Sequence, residues 1–197
     1  MTREPHLEAL TTEALGARLR ELREQSGRSL RSLSRDLGIS PSAVSQIERG
    51  RLRPSVSRLI AYVSALGVPL SSVFETGLEK EPEPHRFAIR RSWEVASLEL
   101  SGGVTFRRLS PVPTKGVEFF ESTYPPGTVS SAHGRFLKHE GYEVGTVREG
   151  ELTIEFETDV VTLAENDSIT FPCDHPHIIS NRSRTVTAVA TWLIVHP

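Results

Sequence analysis

Two histidines and a glutamate carry the most definite chemistry in this chain. His139 stands four positions before Glu143, and His177 follows much later, in another proline-flanked segment. Two imidazole nitrogens and one carboxylate oxygen can form a facial triad for a divalent transition metal (Zn, Fe, Ni or Mn), leaving positions open to a further ligand. The same groups can instead hydrogen-bond one another or a bound molecule, because neutral imidazole both donates and accepts. A second set of residues suits a polyanion. Ala14 to Ile60 holds ten arginines against four acids, whereas Phe87 to Pro197 holds ten bases against fourteen acids, and the whole chain carries only −2. A basic block on an otherwise acidic chain directs a polyanionic partner to that block.

The elements that carry the arginines read as helices. Leu15, Leu19 and Leu22 repeat at helical spacing over Ala14–Gln25, with Arg18, Arg20 and Arg23 on other faces. Ser29 can cap a second helix that ends at Gly38, and Ser40 a third, with Pro41 in its first turn and Gly50 beyond its end. Val56, Leu59, Ile60 and Val63 mark a fourth, and Leu70 to Phe74 a short fifth. Thr76 to Arg86 is rich in proline and charge and reads as a linker. Beyond it the period changes to two, as in Leu152, Ile154, Phe156 and in Val189, Thr191, Leu193, Val195. The expected class is α+β: an arm over 1–13, an all-α domain over 14–75, the linker over 76–86, and an all-β domain of the jelly-roll kind over 87–197.

Two short helices joined by Gly38-Ile39-Ser40 suit a helix-turn-helix, in which the second helix enters the major groove. On that helix Val44 and Ile47 face inward, while Ser42, Ser45, Gln46 and Arg49 share the other face. Gln46 can pair with adenine, the serines with base edges or phosphate, and the flanking Arg28, Arg51 and Arg53 with phosphates. The stretch from Leu15 to Phe74, above all Ser-Gln-Ile-Glu-Arg-Gly at Ser45 to Gly50, resembles the xenobiotic-response-element group of lambda-repressor-like domains. The resemblance implies a five-helix fold, DNA-facing positions at Ser40, Pro41, Ser42 and Gln46, and an internal ion pair between Arg23 and Glu48. Ser34 stands where that group usually has alanine, and its hydroxyl can bond back along its own helix. A helical bundle used only for protein contacts is the competing reading of this domain.

The β domain resembles the cupins. Gly127, His133, His139, Glu143 and Gly150 follow the first cupin motif, and Pro172, His177 and Asn181 the second. The resemblance implies a small barrel with His139, Glu143 and His177 as metal ligands, or a metal-free barrel that uses them on a ligand. The first motif usually pairs two histidines one residue apart; here the pair is split, and His133 stands as a candidate fourth ligand. Asn166 and Asp174 replace two turn glycines. Arg135, Tyr142, Phe171 and Trp192 are the candidate lining of an effector pocket, with Arg135 and Tyr142 suited to a polar or anionic molecule. Cys173 reads as a small residue lining the barrel rim, with a redox or metal role as the alternative.

Several classes fall away on composition. The longest apolar stretches, Leu59 to Val63 and Val189 to Val195, are far shorter than the ~20 residues of a membrane span. Met1 to Leu10 lacks the apolar core of a secretory signal. A single cysteine excludes an internal disulfide and fits the cytoplasm. The expectation is a cytoplasmic transcriptional regulator that binds an operator in double-stranded DNA as a homodimer and senses a small molecule or metal in its barrel. The alternative is an Fe(II) oxidoreductase, since phosphonate-epoxidising iron proteins share this domain order and triad.

Overall fold

The structure, a computed structural model, describes residues 10–74, 87–91, 97–131 and 134–196. The expected linker and most of the expected arm lie outside these residues. The helical half contains α1 (Thr12–Gln25), α2 (Leu30–Leu37), α3 (Pro41–Glu48) and α4 (Val56–Leu66). The first helix starts two residues earlier than the apolar spacing indicates. Thr11 accepts the Ala14 N–H at 3.1 Å, which satisfies an amide that the helix itself cannot pair. Ser29, Ser40 and Ser55 cap the other three helices in the same way, at 3.1, 3.1 and 3.3 Å.

The expected fifth helix is a 3₁₀ turn at Leu70–Phe74. Pro69 begins it, and the Ser72 N–H reaches the Pro69 carbonyl at 3.1 Å, an i to i+3 bond in a segment too short to close several α-turns. Leu15, Leu19, Leu33, Val44, Ile47, Leu59 and Val63 form the helical core. Gly38 ends α2 at φ 61°, where a β-carbon is disfavoured, and so turns the chain sharply into α3.

The β half contains β1 (Ser97–Glu99), β2 (Thr105–Arg108), β3 (Val117–Tyr124), β4 (Tyr142–Glu149), β5 (Leu152–Phe156), β6 (Val160–Leu163), β7 (Ser168–Pro172), β8 (His177–Ser180) and β9 (Ala188–Val195). They form a six-stranded sheet in the order β1-β2-β3-β9-β4-β7 and a three-stranded sheet in the order β6-β5-β8. All named pairings are antiparallel. Side chains of both sheets meet in one interior, as a jelly roll requires. Asn166 takes φ 70°, so it does occupy the left-handed turn position of the expected glycine.

In β9 the inward set is Ala188, Ala190, Trp192 and Ile194, not the more regular Val189, Thr191, Leu193, Val195. Both sets are apolar enough to be buried, and the neighbours decide between them. Trp192 donates its indole N–H to Ser122 Oγ at 2.8 Å and lies against Gly145, where any β-carbon would overlap the ring.

The two halves meet along α4. The Ser57 N–H donates to the Ser130 carbonyl at 3.0 Å, the Ser101 N–H to the Pro54 carbonyl at 3.0 Å, and the Ser71 N–H to buried Glu118 at 2.6 Å. Val56 and Ile60 of α4 line the same small cavity as Phe120, Glu143, His177 and Trp192. The fourth helix thus closes the end of the barrel that carries the triad. No helix among the described residues is long and apolar enough to cross a membrane.

Candidate functional site

His139 precedes β4, Glu143 lies on it, and His177 opens β8 in the other sheet, so the barrel's closure brings the three together. One ligand atom from each lies within 4.8 Å of the others, and all three side chains are buried. His139 Nε2 is 2.9 Å and His177 Nε2 3.8 Å from Glu143 Oε1. Each ring is oriented by its other nitrogen: His139 Nδ1 is 3.1 Å from the Glu140 carbonyl, and His177 Nδ1 is 2.9 Å from the His175 carbonyl. A carbonyl on Nδ1 keeps that nitrogen protonated and directs the Nε2 lone pair at the third group, the usual support for a metal-bound histidine. The donor set therefore fits a divalent metal.

Without metal, the electrostatics separate the two histidines. Burial disfavours the charged form of His139, but the hydrogen bond to Glu143 and its charge outweigh burial and raise the pKa. His177 is lowered, chiefly by burial, and the more distant Glu143 does not compensate. Phe171 packs edge-on against the His177 ring at 4.9 Å and fixes its plane.

The remaining expected site residues are scattered. Trp192 lines the cavity beside the triad, Phe171 buttresses His177, Tyr142 points to solvent, and Arg135 lines a separate cleft. The structure does not gather these four into one effector pocket. Tyr142 has the opposite parity to Glu143 on β4, so a pleated strand that turns Glu143 inward turns Tyr142 out. His133 lies outside the described residues. His175 is exposed and contributes only its backbone carbonyl, while Cys173 is buried, with its thiol pKa pushed up by desolvation, as an unreactive core residue would be.

The cavity beside the triad holds about 20 Å³, roughly one water or ion. Tyr124 projects into it. Its hydroxyl is buried without a hydrogen-bond partner, and desolvation followed by the charge of Glu143 keeps it protonated. An isolated aromatic before a turn gives no sequence signal for such a position.

On α3, Pro41, Ser42, Gln46 and Arg49 are exposed, as is the capping Ser40, and Ser45 is half-buried; Val44 and Ile47 are buried. Glu48 anchors this helix from behind. It accepts two bonds from Arg23, at 2.6 and 2.9 Å, and a third from Tyr62 at 2.6 Å. The implied Arg23–Glu48 pair is present, and Tyr62 of α4 completes it. Ser34 bonds back to the Arg31 carbonyl at 3.0 Å. The arginines divide. Arg51 is exposed, Arg28 is engaged by the Ala65 carbonyl, Ser32 and Asp36, and Arg53 bonds Thr12 and Glu99.

Sequence comparison matches a helix-turn-helix domain family to residues 14–73 and a cupin domain family to residues 120–194. The chain is 30% identical over 177 residues to the HTH-type transcriptional regulator PuuR of Escherichia coli, covering 89% of this chain and 92% of the relative. The chain belongs to the helix-turn-helix transcriptional regulators with a cupin domain. The transcriptional regulator ClgR of Mycobacterium tuberculosis is 40% identical over 80 residues, 41% of this chain and 71% of its own. The crystal structure of an HTH_3 family transcriptional regulator from Vibrio cholerae shares the fold of this helix-turn-helix–cupin regulator, with a TM-score of 0.68 at 22% identity over 95% of this chain and 98% of that one.

Proposed function

We propose that this regulator binds a specific operator in double-stranded DNA as a homodimer in the cytoplasm, and that its triad holds a divalent metal (Zn, Fe, Ni or Mn) that tunes operator affinity. The observation that carries the reading is the outer face of α3. Ser42 and Gln46 are exposed on a helix whose inner face is locked by Val44, Ile47 and the Glu48 network. Gln46 and Ser42 read base edges, with Ser45 and Arg49 beside them. Ser40, Pro41 and Arg51 lie against the backbone, and Arg28 and Arg53 exchange internal partners for phosphates. A single recognition helix covers few base pairs, so two copies related by a two-fold axis read a palindrome.

A bound metal would draw His139, Glu143 and His177 together at the barrel end covered by α4. Metal occupancy thereby bears on the helix that supports α3, and a metal that favours one disposition of the two halves shifts operator affinity by that preference. The oxidoreductase reading draws on the same triad. The adjoining space of about 20 Å³ is sized for an ion or a water, and the exposed outer face of α3 is what favours the regulator.

Binding of the full chain to DNA from its own upstream region, titrated in salt against unrelated DNA, tests the reading. Tight, competitor-resistant binding is expected. Binding indifferent to sequence with every candidate metal present would overturn it, and oxygen consumption with Fe(II) would then separate the enzyme.

A further inference from the structure

A cleft larger than the cavity beside the triad lies outside the barrel. It lies where the helical half meets the barrel, with a volume of about 260 Å³. One wall is the end of α2 at Leu37 and the first turns of α4, including Arg58. The opposite wall is Ser131 together with Arg135 to Lys138, just before β4. Arg58, Arg135 and Lys138 all line this space, and among the described residues no carboxylate does. Arg58 is half-buried, and its Nη1 atom is shielded from solvent without a hydrogen-bond partner. A guanidinium cannot shed its proton to relieve such a position, so this nitrogen is left without a partner among the described residues. Desolvation and then the nearby Arg135 both depress the Arg58 pKa. Arg135 crosses the junction, its Nη1 donating to the Gly38 carbonyl at 3.3 Å, at the turn that leads into α3.

We propose that this cleft binds a small oxyanion, a di- or tricarboxylate or a phosphorylated metabolite, clamped between Arg58 of α4 and Arg135 and Lys138 of the barrel. Two guanidinium forks facing a shared space suit bidentate recognition of carboxylate or phosphate. The clamp spans both halves of the molecule, so the anion would fix α4 against the barrel and compete for Arg135 with the Gly38 carbonyl. It shares no residue with the triad, and failure of either reading leaves the other standing.

The full chain, free of DNA, is titrated with citrate and with inorganic phosphate by calorimetry at constant ionic strength. Saturable binding of at least one anion is expected, weakened about ten-fold in Arg135→Gln and Arg58→Gln, as loss of a charge-assisted bond requires. Arg135 and Lys138 are exposed, so Arg135→Gln and Lys138→Gln keep the test valid if Arg58→Gln fails to fold. No saturable binding of either anion, or equal binding in wild type, Arg135→Gln and Lys138→Gln, would overturn the proposal. A backbone phosphate of DNA is the other source of the same chemistry. If neither free anion binds while Arg135→Gln lowers the salt slope of DNA binding by about one, the cleft is a DNA contact and the proposal fails.

Discussion

Two buried polar clusters, one in each half, use similar groups in opposite ways. In the helical domain Arg23 and Glu48 form a two-pronged ion pair that Tyr62 completes, and the Glu48 oxygens accept three bonds. In the barrel, His139 and His177 both direct Nε2 towards a single Glu143 oxygen, one within hydrogen-bond distance and one not. The first cluster is saturated and holds α1, α3 and α4 in one arrangement. The second leaves His177 Nε2 3.8 Å from Glu143, beyond hydrogen-bond reach, with three metal-type donors converging. Saturation marks a structural brace, and donors that converge on one oxygen are what the proposed metal would need.

The comparison breaks most visibly on removal of each carboxylate. Glu48→Ala should cost about 3 to 5 kcal/mol in chemical denaturation, because Arg23 stays charged in a buried position. Glu143→Gln in metal-free protein should cost less than about 2 kcal/mol, because His139 can give up its proton once its partner is gone. Equal losses would show the two clusters to be the same kind of object. Metal should sharpen the contrast. Elemental analysis after metal supplementation should find about one ion per chain, and near none in Glu143→Gln or His177→Ala, with a chelator lowering the melting temperature of the wild type only.

A smaller effect separates reading from bracing within α3. Gln46→Ala should weaken specific DNA binding by about 1 to 3 kcal/mol while sparing non-specific binding and stability; equal loss on both kinds of DNA would remove Gln46 from base contact. Ser34→Ala should be the mildest, within about 0.5 kcal/mol by denaturation, since its hydroxyl bonds only to the Arg31 carbonyl of its own helix.

Much of the helical domain was legible in the chain because its signals are local. Leu15, Leu19, Leu22, Leu33, Val44 and Ile47 are buried as their spacing indicates, and Ser29, Ser40 and Gly38 punctuate the helices as such residues do. Tyr62 was not legible as a partner of Glu48, since an aromatic on an apolar helix face looks like any core residue. In the barrel, His139, Glu143 and His177 were found by their types and motif spacing. The effector lining was not: Arg135, Tyr142, Phe171 and Trp192 are near the triad along the chain or in the barrel, yet they face different spaces.

The order of the helices, the change to a β half, the brace between Arg23 and Glu48, and the three metal-type donors follow from the sequence, because each rests on short-range periodicity, capping or a recurring residue pattern. Three features belong to the tertiary structure alone. They are the inward set on β9, the closing of the barrel end by α4, and the cationic cleft between the halves. Each depends on which of two chemically similar surfaces meets a partner far away in the chain. Alternation in a strand that is apolar on both faces, or a lone arginine on a helix, carries no record of that partner.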